Sequence, residues 1–441
     1  MKKAVTINEF ANNLLSEKLV SGKDDDVYVP IYDDKLDSLR DILLNDEVES
    51  QTFFVAGQSG TGKTTALNFL KTKELDDRFY IKYINMRDFL DERDVDIIDF
   101  LLTFAFALVK DTTLEQEYYS KLEELQKKHE GELIEVVEKE SGQTGNIGFK
   151  GEASAGIGWM IKLRARFFAD YKIDSSYRQT TRETFKLKKP DLLSLVNELI
   201  DKFREKITKG KQVLAIVDDL DKLKEIRQIN SVFLENRNYI FDLKCKKVFS
   251  IPTYLVTTPE ISNYSRHEIP QFVINLKPNP ISKRVDKKKQ GDRVQRNKEK
   301  LQNVIKCRID KDISLIDNDA LDLAIEYSGG IIRQLIHIVY QAAVKVRRLN
   351  LIKISREDIE DGIGSIQTTM SRTIISSNKI KLLDRILKRH IPISETSEEF
   401  IELLHANNVL AYANGVVWYE VNPVLEETVK IYSEIHESTD A

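Results

Sequence analysis

The chain holds 441 residues, with 67 Lys and Arg against 71 Asp and Glu and a net charge of −4. That balance argues against a protein that coats nucleic acid, and 41% hydrophobic with 31% charged residues excludes a disordered chain. Two cysteines, Cys245 and Cys307, and six histidines show no metal-ligand spacing, which disfavours a zinc module, a disulfide scaffold and a secreted context. The length accommodates two to four domains of roughly 100–200 residues.

In chain order, residues 1–50 read as a lead-in whose segment 27–43 is extended and then helical, with apolar Leu36, Leu39 and Ile42. The run 52–56 (TFFVA) reads as a short buried strand, followed by a glycine turn and a helix over 63–72. A second strand is expected at 78–85. The apolar run Ile97–Val109 holds Asp99 and is too short to cross a membrane, so it reads as a core helix. Met1-Lys2-Lys3-Ala4-Val5 opens without an apolar signal region, so the expected location is cytoplasmic, with no membrane partner. Residues 113–140 are charged, helical and expected to form a solvated face or a projecting arm. In 142–175, Trp159, Ile161, Leu163 and Phe167 share one parity and Lys162, Arg164 and Arg166 share the other. Period two predicts an inserted β-ribbon that serves as a contact surface.

A helix at 190–208 leads into the strand 212–217, which ends in Asp218-Asp219. Further strands are expected at 247–251 and 271–276. Residues 277–300 are expected to form a basic exposed loop, with nine basic residues against three acidic ones from Lys283 to Lys300. Helices follow near 297–307, 318–327, 331–349 and 355–364, with Asp317 and Ser355 as N-caps. The tail reads as helices near 376–389 and 395–407. A hairpin follows, with Asn414-Gly415 as a two-residue type I′ turn. Helix, helix, hairpin is a winged-helix pattern.

The fold class expected is therefore α/β. It comprises a parallel-sheet P-loop core over 51–276 with an insertion at about 110–190, an all-α lid over 301–365 and a winged helix over 366–441. Two segments carry the chemistry. Gly57-Gln58-Ser59-Gly60-Thr61-Gly62-Lys63-Thr64, with Thr65 beside it, matches G-x-x-x-x-G-K-[ST] between a strand and a helix. Its glycines let backbone N–H groups surround a phosphate at a helix N-terminus. Lys63 places a charge against the β- and γ-phosphates and the Thr64 hydroxyl ligates Mg²⁺. Asp218, delivered by a buried strand, is the second metal ligand expected, and Asp219 the residue that orients attacking water. Asp221 reads as a helix N-cap.

The order of these motifs, followed by Ser328-Gly329-Gly330-Ile331-Ile332-Arg333-Gln334-Leu335, resembles AAA+-like ATPases of the origin-recognition-initiator and STAND branch. The resemblance implies ATP and Mg²⁺ as cofactors and Arg333 as a γ-phosphate sensor on the lid. It implies a polar sensor after the strand 247–251, for which Thr253 is favoured over Ser250. Tyr28 and Ile31 stand where such ATPases contact the adenine. Arg284, Arg293, Arg296 and Arg308 are the candidates for an arginine acting on a neighbouring subunit. Asp218-Asp219 replaces the usual Asp-Glu, which suits slow hydrolysis in a switch more than a motor. The activity implied is that of an ATPase switch that rearranges to control assembly or a partner protein, of a kind found in anti-phage defence. Two other readings stand beside it: a DNA-loading or transposition-type ATPase, and a non-hydrolysing ATP-bound scaffold. Glu395, Glu398, Glu399 and Glu402 on the helix in the recognition position argue against reading DNA with the winged helix.

Overall fold

A computed structural model of the chain describes residues 1–15, 27–91, 93–125, 127–128, 175–223, 225–282, 286–392 and 394–439. Four apolar runs form strands: β1 Thr52–Ala56, β2 Phe79–Asn85, β3 Gln212–Asp218 and β4 Lys246–Ile251. They pair in parallel in the order β1-β4-β3-β2. Parallel strands are covered on both faces, so their sequences run apolar without alternation. Their side chains still divide by parity. Phe54, Ala56, Val213, Ala215, Val217, Phe249 and Ile251 join the helices Ile97–Val109 and Lys189–Lys206 in one core. Phe53, Val55, Leu214, Ile216 and Val248 join a second core with the helix Asp33–Asn45 and the lid. This is the α/β P-loop architecture expected.

The lid comprises the helices Lys287–Lys306, Asn318–Ser328, Ile332–Arg348 and Arg356–Ser371. Ser355 closes a capping box with Asp358, whereas Asp317 occupies its N-cap without a side-chain cap bond and pairs with Lys353 at 2.5 Å. Within the lead-in, the helix Ile7–Leu15 belongs with the lid. Phe10, Ala11 and Leu14 pack in the core of Ile338 and Ala342, and Ala4 bridges Ile309. The C-terminal unit holds helices Ser377–Arg389 and Glu398–His405, the antiparallel pair β5 Val409–Ala413 and β6 Val417–Val421, and the helix Glu426–Thr439. No helix among the described residues is long and apolar enough to cross a membrane.

Four local expectations are corrected. The basic segment expected as a loop over 277–300 is helical from Lys287. Asp286 caps it by accepting from the Lys288 and Lys289 N–H groups, and Leu301, Val304 and Ile305 bury its far end. Lys, Arg and Gln are good helix formers, and their charge marks an exposed helix face here. Residues 271–276 do not form a strand. Phe272, Ile274 and Leu276 are buried at period two, but the backbone bridges β1 only at Ala56 and Gln271, where β1 ends. The hairpin loop has three residues, because Ala413 pairs with Val417. Asn414 is the first of the three, and its side chain turns inward: its Oδ1 accepts from the buried Trp418 indole at 2.5 Å and its Nδ2 donates to Lys277 O. The start of 113–140 is docked rather than projecting. Leu114, Tyr118 and Leu122 are buried at helical spacing, and the Tyr118 hydroxyl donates to Leu102 O at 3.2 Å. The ribbon expected at 142–175 lies outside the described residues, apart from Ser175 at the start of the helix Ser175–Phe185.

At the opposite end of the sheet from the glycine turn, the Lys247 ammonium is buried and donates to Ser50 O, Phe241 O, Leu243 O and Cys245 O. Burial pulls its pKa down from 10.5 to about 8, with the Cys245 and Asp242 charges opposing. The unfolded chain therefore binds the extra proton more readily between these values. This group's contribution to stability rises with pH from about 8 towards 10.5. Urea unfolding of the parent and Lys247→Met should show the parent gaining on the variant by ~1 kcal/mol or more between pH 8 and 10.

Candidate functional site

Parallel strands deliver their carboxyl ends to one edge, and here β1, β3 and β4 end side by side. The turn after β1 is the expected phosphate loop. Gly60 has φ 84, and a Cβ there would come within 2.9 Å of Arg333 Cβ, so only glycine allows the lid to approach this closely. The Arg333 N–H donates to Gly60 O at 3.1 Å and its guanidinium to Ser59 Oγ at 3.2 Å.

Lys63, 5% exposed, folds back across the loop. Its ammonium donates to Gly57 O at 2.5 Å and Gln58 O at 2.9 Å and pairs with Asp221 Oδ2 at 2.9 Å. Asp218 accepts from the Tyr83 hydroxyl at 2.5 Å and from the Asp219 N–H at 2.8 Å. Burial pushes the Asp218 carboxyl up, but hydrogen bonds, first from Tyr83 and then from Thr64 and the Asp219 amide, outweigh it and hold the pKa below the usual value. In Asp219, burial and the Asp218 charge raise the pKa, and the ion pair with Lys222 opposes them. Asp219 has φ 68, which turns the chain so that Asp221 comes back towards Lys63. Ser250 at the end of β4 donates to Asp221 Oδ1 at 3.1 Å. Asp218, Asp219 and Asp221 each offer an oxygen within 4.8 Å of the others. Of the three, Asp218 is the carboxylate bonded by the Thr64 hydroxyl, and this pair of hard oxygen donors fits Mg²⁺.

A cleft of about 480 Å³ opens here. Gly57, Gln58, Ser59, Arg333 and Thr253 line it among the expected residues. Asp221, Lys222, Glu402 and His405 also line it, and the sequence reading did not place them there. Asp221 is not a capping residue: its side chain is 2% exposed and faces Lys63. The signal available was a third acid one turn beyond Asp218. His405, from the C-terminal unit, has no sequence motif. Its Nε2 has no hydrogen-bond partner among the described residues, and burial lowers its pKa. Tyr28 and Ile31 lie away from this cleft. Tyr28 stacks on Phe69 at 3.6 Å and bonds Asp33, and both pack against the lid-side core. The tyrosine tied to the loop is Tyr32, whose hydroxyl donates to Thr61 O at 2.8 Å. Arg293 and Arg296 are exposed, Arg308 is buried with a bond to Val304 O, and Arg284 lies outside the described residues.

The C-terminal unit closes over the loop. The Gln58 amide donates to Leu404 O at 3.2 Å, Val409 O at 2.7 Å and Asn407 Oδ1 at 3.4 Å, and accepts from the Ala411 N–H at 2.8 Å. Asn407 Nδ2 donates to Ser59 O at 3.0 Å. Gly329 has φ 58, and a Cβ there would meet Leu410 Cδ1 at 2.2 Å. Its carbonyl accepts from the Tyr412 hydroxyl at 2.8 Å.

No curated protein matches this chain. Among solved structures, Cdc6p from Pyrobaculum aerophilum is 12% identical with a TM-score of 0.42, over 98% of this chain and 100% of that one. The Aeropyrum pernix ORC1 protein, in complex with DNA, is 12% identical with a TM-score of 0.43, over 96% and 97%. At these scores the likeness carries no argument about chemistry or partners. The KAP family P-loop domain matches residues 32–252, half of the chain, from the tyrosine that holds the loop to the end of β4. The chain belongs to the KAP family of P-loop NTPases.

Proposed function

We propose that the chain is an ATP-binding switch that hydrolyses ATP slowly and signals through its lid and C-terminal unit. The observation that carries this reading is Gln58. A residue inside the phosphate loop spends its whole amide on the C-terminal unit. Lys63 and Arg333 meet the phosphates, and the loop N–H groups cradle them. Thr64 and Asp218 would hold Mg²⁺, which neutralises charge on the phosphate oxygens. The order of helices Ser377–Arg389 and Glu398–His405 and the hairpin supports a winged helix for the C-terminal unit. Its output is a rearrangement that alters assembly or a partner protein.

A second reading, an ATPase that works on duplex DNA, is favoured by the exposed face of Lys289, Arg293 and Arg296. The C-terminal unit opposes it: Glu398, Glu399 and Glu402 are exposed on the helix that would face phosphates. DNA affinity of the full chain that falls steeply between about 50 and 200 mM salt would favour this second reading.

Lys63→Ala should lower ATP affinity by ~2–3 kcal/mol, roughly 30- to 150-fold, in a calorimetric titration, with the thermal midpoint little changed. Equal affinity in parent and variant contradicts an ATP site here. Hydrogen exchange at the Ala411 amide reports the switch. Gln58→Ala should speed that exchange, and Mg-ATP should speed it in the parent but not in the variant. Exchange that is blind to ATP in the parent removes the switch and leaves a static ATP-bound scaffold.

A further inference from the structure

Three carboxylates follow β3, and the structure gives them different work. Asp218 is committed to Tyr83, Thr64 and the Asp219 amide. Asp219 sits in left-handed backbone and spends Oδ1 on Lys222. Asp219 does not line the cleft, and neither do Lys63, Thr64 and Asp218. Asp221 does line it, together with Gly57, Ser59 and Arg333, the groups placed around the phosphates. The Ser250 hydroxyl donates to Oδ1 at 3.1 Å. The other oxygen, Oδ2, is buried and is paired with the Lys63 ammonium at 2.9 Å.

On the proposed reading of this cleft as an ATPase site, we propose that Asp221, rather than Asp219, is the carboxylate that receives the attacking water. The phosphates compete with Asp221 for Lys63, because an ammonium beside a carboxylate turns to a denser negative charge when one enters its reach. Asp221 then loses its charge partner, beside the phosphate that Lys63 has taken. The step balances without a further reactant. The water oxygen forms a bond to the γ-phosphorus, and the bond from that phosphorus to the β-phosphate oxygen breaks. The water's proton passes to Asp221 Oδ2, and the departing oxygen carries its charge towards Lys63. The water-directing carboxylate is thereby withheld until Lys63 has engaged a phosphate. An assignment by motif position alone selects Asp219 and misses this dependence.

The test compares Asp221→Asn, Asp221→Glu and Asp219→Asn in the full chain, with ATP and Mg²⁺. It reads kcat, KM, ATP affinity and thermal midpoint on the same preparations. Loss of a water-directing group costs typically ~10²- to 10⁴-fold in rate. Asp221→Asn should lose kcat by at least ~100-fold with ATP affinity within a few-fold of the parent. Asp221→Glu, which keeps a carboxylate on a longer stem, should recover part of that loss. Asp219→Asn should lose at least ~10-fold less kcat than Asp221→Asn, a difference of about 1.4 kcal/mol. Turnover by the parent that is abolished in Asp219→Asn and kept in Asp221→Asn overturns this assignment and leaves the ATPase reading intact. Asp221→Asn losing affinity in step with kcat, with no rescue by Glu, also overturns it, since Asp221 would then only hold Lys63. No turnover by a parent that binds ATP overturns the ATPase reading itself, and the assignment with it. If Asp221→Asn melts during preparation, the Asp221→Glu and Asp219→Asn pair still decides, because Glu keeps the charge that Lys63 faces.

Discussion

A buried ammonium has to find oxygen acceptors, and the arrangement around Lys63 follows from that requirement. Its acceptors are two loop carbonyls and the Asp221 carboxylate. Turning the Gly57 and Gln58 carbonyls inward leaves the Gln58 side chain pointing outward, where the C-terminal unit takes it up. Bringing Asp221 back to Lys63 requires the reversal at Asp219, whose positive φ is unusual for a residue other than glycine. Ser250 ties β4 to the same carboxylate. One buried charge therefore joins the ends of β1, β3 and β4, and it sets which loop atoms face the nucleotide cleft and which face the hairpin.

The sequence showed most where its signal was local. The phosphate loop, the apolar strands and the lid helices are each set by contiguous residues with fixed spacing. Errors arose where a local pattern had a second explanation. Phe272, Ile274 and Leu276 alternate as a strand would, yet β1 offers a hydrogen-bonding partner at one position only. Asn414-Gly415 is a strong turn signal, but the loop takes in Val416 as well, and the Asn414 side chain accepts from the Trp418 indole. The run from Lys287 looked like a solvated loop because charge alone does not distinguish an exposed helix face from coil.

The least legible part of the site is the part contributed from far along the chain. His405 and Glu402 reach the cleft from the C-terminal unit, more than 300 residues beyond the phosphate loop. No spacing rule links them to Gly57. Asp221 is close in sequence, but its role depends on the backbone reversal at Asp219, which the side chains do not announce. Gln58 occupies a variable position of the motif, where the pattern requires no particular residue. Its amide matters because of the carbonyls opposite it, and those come from the end of a helix and from β5.

The chemistry of these contacts also indicates how the proposed switch couples its parts. A phosphate competes for charged donors, here Lys63 and Arg333. The Gln58 contacts are neutral amide-to-carbonyl bonds, each contributing on the order of 1 kcal/mol, and a phosphate does not displace them directly. Coupling has to pass through the loop backbone instead. When Lys63 turns to a phosphate, the Gly57 carbonyl loses its donor, while the Gln58 carbonyl keeps the Thr61 hydroxyl at 2.9 Å. A carbonyl left unpaired in a buried setting costs roughly 1–3 kcal/mol, enough to reorient a peptide flanked by glycine. That peptide carries the Gln58 side chain, and a change in its direction misaligns all of its bonds to Leu404, Val409 and Ala411 together. On the proposed reading the hairpin follows the lysine's position without touching the nucleotide, and the residue that links them, Gln58, lies inside the phosphate loop.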